Sequence, residues 1–196
     1  ARDRDEHDFG RHILPRLIHS HRVFAYNFAE NKIPAVASYE EVGYWRDVGT
    51  IDAYYAANRD VLGAEARFNL FNPQWFIRSS NYQGPSPRIA SGEITNSVIG
   101  AGSLIKGARI RNSILRREII VEEDVEIDDC VIMDYTVIRR GSRLKRVIID
   151  RYNEIAANSR IGFDVAADRA RFHVTEGGVV VVPKGPEVPD VTRYNI

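Results

Sequence analysis

Aliphatic residues recur at intervals of five or six through the C-terminal half of the chain. Thirteen consecutive positions keep this rhythm: Ile94, Ile99, Ile105, Ile110, Leu115, Val121, Ile127, Ile132, Ile138, Leu144, Ile149, Ile155 and Ile161. Neither the 3.6-residue period of an α-helix nor the two-residue period of a strand gives this spacing. A hexapeptide repeat does, and it is typical of a parallel β-helix with one inward aliphatic side chain on each flat face. With three faces to a coil, the repeat predicts about four coils over residues 94–161.

Small residues stand two positions before most of these aliphatic residues, where they would let the backbone turn at a corner. They are Ser97, Ser103, Ala108, Ser113, Cys130, Thr136, Ser142 and Ser159. This spacing resembles the left-handed β-helices of acyltransferases and sugar nucleotidyltransferases.

The segment before the repeat alternates between strand and helix patterns. Val23–Phe28 and Tyr44–Val48 are predicted to be strands. Thr50 is a good N-cap for a helix over 51–62, and Gly63 stands where a glycine would end it. These elements predict part of an α/β layer.

Shorter elements are predicted at the two ends of the chain. Asp8 is expected to cap a short helix. After the repeat, a helix over Asp164–Phe172 and a strand over Val179–Val182 are expected, and the end of the chain is predicted to be a tail. Three prolines mark residues 69–93 as a linker.

The composition argues against several kinds of partner and site. The chain of 196 residues has 27 Lys and Arg against 27 Asp and Glu, and this balance argues against a partner such as nucleic acid or an anionic membrane. No apolar run approaches the ~20 residues that span a bilayer. One cysteine, Cys130, excludes a disulfide framework and a cysteine-cluster metal site. The absence of a signal peptide and of an initiator Met predicts an intracellular piece of a longer protein.

The densest group of chemistry-bearing residues is Tyr44–Thr50, which has the sequence Tyr-Trp-Arg-Asp-Val-Gly-Thr. Asp47 is a candidate ligand for Mg²⁺, which prefers one or two carboxylates together with substrate phosphates. Trp45 is a candidate to pack against a sugar face. The residues alone leave an alternative open, in which Trp45 belongs to the core and Asp47 pairs with Arg46 or caps the helix.

Motifs along nearly the whole chain resemble those of the bacterial ADP-glucose pyrophosphorylases, also called glucose-1-phosphate adenylyltransferases. The resemblance is carried by His7–Gly10, Ile13–Pro15, Tyr44–Tyr54, Ala57–Asn58, Trp75–Arg78, the hexapeptide region, Val147–Arg151, Ile161–Gly162, Asp168–Phe172 and Glu176–Val179.

The resemblance implies a fold, a reaction and a cellular setting. Residues 1–68 would be the C-terminal part of an α/β nucleotidyltransferase domain, 69–93 a linker and 94–196 a left-handed β-helix for regulation and oligomerisation, which makes the chain mostly β. The family makes ADP-glucose and pyrophosphate from ATP and glucose 1-phosphate with Mg²⁺, for glycogen synthesis. It implies a cytoplasmic homotetramer that binds neither nucleic acid nor membrane.

The resemblance also assigns roles to residues of the active site. Asp8, Phe9 and Trp45 match positions in the sugar-phosphate pocket. Asp47 matches the metal-binding aspartate.

A second set of residues matches the family's regulatory site, where phosphorylated metabolites bind as effectors. Arg151 matches an effector arginine, Lys184 falls near a second basic contact, and Arg169 and Arg171 lie between them. A solvated helix face is the alternative for Arg169 and Arg171. The basic stretch 139–146 is predicted to form, with Arg151, an outward cradle for a phosphate.

The family's Gly-rich nucleotide loop and its catalytic carboxylate are missing, so no catalytic residue is assigned and the chain alone is expected to be inactive. Hexapeptide acyltransferases use a His on a coil, and no His lies between 94 and 161. Two alternatives stay open: a non-catalytic regulatory or structural paralogue, and a nucleotidyltransferase for another sugar nucleotide.

Overall fold

The structure is a computed structural model that describes residues 7–77, 82 and 84–186. Arg78 and the predicted tail over 187–196 lie outside the described residues. The chain divides into two compact units, one ending at Ile33 and one beginning at Pro34.

The first unit contains a π-helical turn, Phe9–Ile13, a short helix α1, Leu14–Leu17, and a 3₁₀ turn, Phe28–Glu30. Asp8 is the predicted cap, since its Oδ1 accepts a hydrogen bond of 2.7 Å from the backbone N–H of Arg11. The predicted strand Val23–Phe28 is wrong. A strand needs a neighbour for its backbone groups, and the described part of this unit contains none.

Three parallel sheets build the second unit. The first contains β1 (Arg88–Ile89), β4 (Leu104–Ile105), β7 (Ile120–Val121), β10 (Val137–Ile138) and β13 (Glu154–Ile155). The second contains β2 (Gly92–Thr95), β5 (Ala108–Arg111), β8 (Val125–Asp128), β11 (Arg143–Lys145) and β14 (Arg160–Ile161). The third contains β3 (Val98–Ile99), β6 (Ile114–Leu115), β9 (Val131–Ile132), β12 (Val147–Ile149) and β16 (Val180–Val182), with β15 (His173–Val174) antiparallel at its edge.

Each strand pairs with the strand one coil later, so the three sheets wind into a parallel β-helix. Four complete coils run from β1 to β12, and β13 and β14 begin a fifth. The register places aliphatic residues of successive coils next to one another. On the first sheet these are Ile105, Val121, Ile138 and Ile155. Of the thirteen aliphatic positions, all except Ile94 and Ile99 are buried, which confirms the hexapeptide prediction.

Residues with left-handed backbone make the corners of the coils. At one corner Asn96, Asn112, Asp129 and Arg146 follow one another coil by coil, with φ between 45° and 56°. Asn and Asp tolerate this region better than other non-glycine residues. The small residues that follow these corner residues form hydrogen bonds between coils. For example, Ser113 Oγ accepts a hydrogen bond of 3.0 Å from the Cys130 N–H of the next coil.

Two helices flank the β-helix. Helix α2, Ile51–Arg59, begins after Thr50, whose Oγ1 accepts from the Ala53 N–H at 3.1 Å, as predicted, but it ends earlier than residue 62. Gly63 has φ +98°, which fits its predicted place after the helix. Helix α3, Val165–Arg169, is capped by Asp164 and is shorter than the predicted 164–172.

Tyr44–Val48 is not a strand, contrary to prediction. No described strand pairs with it. Its side chains hold it in place instead, as described below.

A charge in the aliphatic stack should unfold the β-helix. Ile138→Asp places an unpaired carboxylate at a position with no exposed surface and should lower the free energy of unfolding by more than about 3 kcal/mol. Ile89→Asp is the matched control, because Ile89 stands in the same stack but is half exposed. Urea denaturation followed by circular dichroism measures both. Equal losses would contradict the stacked core.

Candidate functional site

Arg46 holds the motif Tyr44–Thr50 against the loops that surround it. Its Nη1 and Nη2 donate to the two carboxylate oxygens of Glu41 at 2.8 and 2.6 Å, and its Nε donates to Asp60 at 2.8 Å. Such forked pairs fix geometry as well as charge. The hydrogen bonds from Arg46 lower the pKa of Glu41 despite some desolvation.

Tyr44 strengthens the same attachment. Its ring stacks on Phe68 with 4.9 Å between centroids, and the guanidinium of Arg46 lies 4.4 Å from the Tyr44 centroid. Burial, followed by the charge of Asp60, raises the pKa of the Tyr44 hydroxyl.

Trp45 and Asp47 alternate with these anchored residues and are exposed. Tyr44 and Arg46 are held by their contacts, whereas the side chains of Trp45 and Asp47 are turned to solvent. Trp45 is 66 % exposed. In this chain Trp45 therefore does not lie in a core, and Arg46 pairs with Glu41 and Asp60 rather than with Asp47.

Asp47 is an open carboxylate at the start of the loop before α2. Its Oδ1 accepts from the Gly49 N–H at 2.8 Å, and an ionised carboxylate keeps further lone pairs for other partners. No group of three or more His, Cys, Asp or Glu side chains among the described residues could enclose a metal. One open carboxylate suits a cation that is shared with phosphates, as Mg²⁺ commonly is.

Asp8 and Phe9 lie in the first unit. The Asp8 carboxylate is used in capping, and Phe9 is 63 % exposed.

Arg151 and Lys184, the two principal effector candidates, are brought together at neighbouring positions. They follow β12 and β16, which are paired strands, and the Gly185 N–H donates to the Arg151 carbonyl at 3.1 Å. Lys184 Nζ lies 5.5 Å from the centroid of Tyr152, and the Arg151 side chain is about half exposed, at 56 %. The pair forms a cationic edge of the β-helix.

Arg169 and Arg171 line a groove of about 310 Å³ beside β16. His173 and Pro183 also line it, so the groove reaches the residue before Lys184. Arg171 is placed by Phe172, whose ring centroid is 4.8 Å from its guanidinium.

The sequence analysis missed Asp134, which lies one coil before Arg151 on the same edge. The Tyr152 N–H donates to its carbonyl at 3.1 Å. Its buried carboxylate is 3.0 Å from Arg116 Nε and 3.4 Å from Arg117 Nε. The recurrence of Arg117, Asp134 and Arg151 at 17-residue intervals is the signal in the sequence.

The basic stretch 139–146 does not form one cradle with Arg151. Arg139 pairs with Glu122 and Glu154 on the first sheet, Arg140 pairs with Glu123, and Arg143 pairs with Asp124 and Glu126 on the second sheet. Arg151 follows the third sheet. The corners of the coil distribute consecutive residues over different faces, so the sequence neighbours are separated.

Comparison with known families defines the class of the chain. The family described as GlmU-like, C-terminal hexapeptide matches residues 85–182, half of the chain, and the family described as nucleotidyl transferase matches residues 1–63. The chain therefore belongs to the hexapeptide family. Its fold class is confirmed as a left-handed parallel β-helix preceded by part of a nucleotidyltransferase domain.

Several relatives that match the chain bear the same enzyme name. The chain is 44% identical over 196 residues to the glucose-1-phosphate adenylyltransferase of Thermodesulfovibrio yellowstonii, covering 100% of the chain and 46% of the relative. It is 41% identical to the enzyme of the same name from Deinococcus deserti, and the match covers 92% of the chain and 45% of the relative. It is 36% identical to that of an Anaeromyxobacter species, and the match covers 93% of the chain and 46% of the relative. The chain thus spans about half the length of these relatives.

The described helices lack the length and apolar character of membrane-spanning helices. In the part of the chain that the structure describes, every helix is too short or too polar to cross a bilayer.

The Arg46–Glu41 pair should make stability depend on pH. Because the pKa of Glu41 is lowered from 4.5, the ionised form is favoured by folding. Its contribution is present above the unfolded pKa and is lost as pH falls through the lower folded pKa. Arg46→Gln should therefore destabilise the chain at pH 7, and the difference should shrink below about pH 4. Thermal unfolding between pH 3 and 7 measures it, and a difference that does not vary with pH would contradict the pairing.

Proposed function

We propose that this chain is the C-terminal half of a cytoplasmic glucose-1-phosphate adenylyltransferase, which makes ADP-glucose and pyrophosphate from ATP and glucose 1-phosphate for glycogen synthesis. The supporting observation is the outward presentation of Trp45 and Asp47 by an anchored segment. Relatives that bear this enzyme's name match the segment and the rest of the chain.

The chemistry of this reaction fits the side chains of Asp47 and Trp45. An oxygen of glucose 1-phosphate attacks the α-phosphorus of ATP, a new P–O bond forms, and pyrophosphate leaves. Catalysis of such a step depends on positioning and on neutralising charge. Bound Mg²⁺ would supply the neutralisation. Asp47 would hold the ion and Trp45 would pack against the sugar. Asp8 and Phe9, which match sugar-phosphate positions of the family, would contact that group in the longer enzyme.

The carboxylate of Asp47 can be tested in the longer enzyme. Asp47→Asn keeps an oxygen for the Gly49 N–H but removes the charge, so pyrophosphate release should fall by about 10²-fold or more while the melting temperature stays unchanged. Glu65→Gln, at an exposed carboxylate of the same unit, is the matched control and should be as active as the wild type. An Asp47→Asn enzyme with normal turnover would overturn the role.

The cationic edge is proposed to be the effector site. A phosphorylated metabolite would be held by Arg151 and Lys184, which occupy neighbouring positions. Arg169 and Arg171 would contribute from the adjoining groove. Arginine suits phosphate because its planar fork donates two parallel hydrogen bonds.

Arg151→Ala should weaken activation of the longer enzyme by a phosphorylated metabolite. The loss of a charged hydrogen bond, about 1.5–3 kcal/mol, corresponds to at least a tenfold higher effector concentration at half-activation. Basal turnover should not change. Lys145→Ala, at an exposed lysine on another face, is the control. Superimposable activation curves for the Arg151→Ala and wild-type enzymes would contradict the assignment.

Association through the β-helix is proposed as well, with a homotetramer as the form of the longer enzyme. The strands β1, β2 and β3 lie at the edges of the three sheets, and open edges are normally covered or paired.

The chain alone should therefore form at least a dimer. Light scattering coupled to size exclusion measures the mass across a hundredfold range of concentration. A constant mass of 22.2 kDa would refute association through this domain.

A further inference from the structure

An open groove of about 380 Å³ lies between the residues that follow Asp47 and the β-helix. It is lined by Val48–Ile51 and Tyr54 on one side and by Met133, Ile148, Asp150 and Val181 on the other. On this side the loop borders open space. Its position depends on the attachments at its two ends.

Arg46 is the attachment before the loop, as described above. The attachment after the loop is Asp52, in the first turn of α2. Its Oδ1 accepts from the Thr175 hydroxyl at 2.6 Å, and its Oδ2 accepts from the Gly177 N–H at 3.2 Å. We call these three residues the Asp52 clamp.

The turn that holds the other half of the clamp is itself well ordered by hydrogen bonds. Thr175 is buried, and its Oγ1 accepts from the Val179 N–H at 3.0 Å while donating to Asp52. A Cβ on Gly177 would lie 2.6 Å from Asp52 Oδ1, so a side chain here would displace the Asp52 carboxylate. Glycine allows the close approach.

Two further attachments lie later in α2. Tyr55, about one turn after Asp52, is buried against Val131, Ile148 and Val179, and its hydroxyl donates to the Asp129 carbonyl at 2.7 Å. Arg59, the last residue of the helix and about two turns after Asp52, pairs with the Asp129 carboxylate.

We propose that Asp52, with Thr175 and Gly177, is a positioning residue that holds the Asp47 carboxylate in place for Mg²⁺ and the substrate phosphates. The proposal rests on the proposed role of Asp47. Without the clamp, the first turn of α2 would lose its hydrogen bonds to the β-helix, and the loop beside the open groove would be free to shift. Residues that orient a metal ligand typically change affinity or activity by about 10–100-fold when they are removed.

The first test measures the loop directly in the 196-residue chain. In Asp52→Ala and in Thr175→Val, hydrogen exchange of the Gly49 amide should be about tenfold faster than in the wild type. Thr175→Ser keeps the hydroxyl and should retain the wild-type rate. Arg59→Gln removes an ion pair at the far end of α2, so it controls for general loosening of the helix and should leave Gly49 unchanged.

The second test uses the longer enzyme. Thr175→Val should raise the Mg²⁺ concentration at half-maximal rate by about tenfold, whereas Arg59→Gln should not change it. Unchanged Gly49 exchange in Asp52→Ala and Thr175→Val, or an equal effect of Arg59→Gln, would overturn the clamp. Exchange does not require catalysis, so a failure of the Asp47 assignment would instead appear as normal turnover in Asp47→Asn with the exchange results intact.

Discussion

The structure depends on the stacking of one aliphatic side chain above another at the same position of each coil. Parallel pairing with a constant register places Ile105, Val121, Ile138 and Ile155 in one column, and the other two sheets form equivalent columns. Each coil buries its aliphatic residues only against its neighbours. The stack therefore fixes the directions of all outward residues, including the corner residues and the cationic edge after the third sheet.

The third sheet also has an apolar outer face, and this face joins the β-helix to the preceding segment. Val131 and Ile148 point away from the stack and would be exposed without a partner. Tyr55 of α2 covers them together with Val179. Because α2 begins four residues after Asp47, the packing of one helix places the motif Tyr44–Thr50 beside the β-helix. The apolar contact holds the helix against the sheet, while the hydrogen bonds of Asp52 and Tyr55 fix the position of the helix along it.

The repeat could be predicted because its period differs from those of helices and single strands. The N-cap at Thr50 also has a local signal. Arg151 and Lys184 were indicated only by the family resemblance, and their neighbouring places come from the pairing of β12 with β16. The strands predicted at 23–28 and 44–48 failed because strand formation needs a partner that composition does not reveal. The basic stretch 139–146 does not share one surface because it contains two corners, at Gly141 with φ +72° and at Arg146 with φ +56°. Only the first is marked by a glycine. The Asp52–Thr175 contact joins residues 123 positions apart, so no local pattern contains it.

The central proposal is that this chain is half of an enzyme that transfers the AMP part of ATP to glucose 1-phosphate and releases pyrophosphate. The most direct measurement is pyrophosphate release by the longer protein, with each of several sugar 1-phosphates combined with each of the four common nucleoside triphosphates. The account predicts that ATP with glucose 1-phosphate gives the highest kcat/KM, by at least about 10²-fold over the other combinations. A preference for another sugar phosphate or another nucleotide, or no nucleotidyl transfer at all, would contradict it.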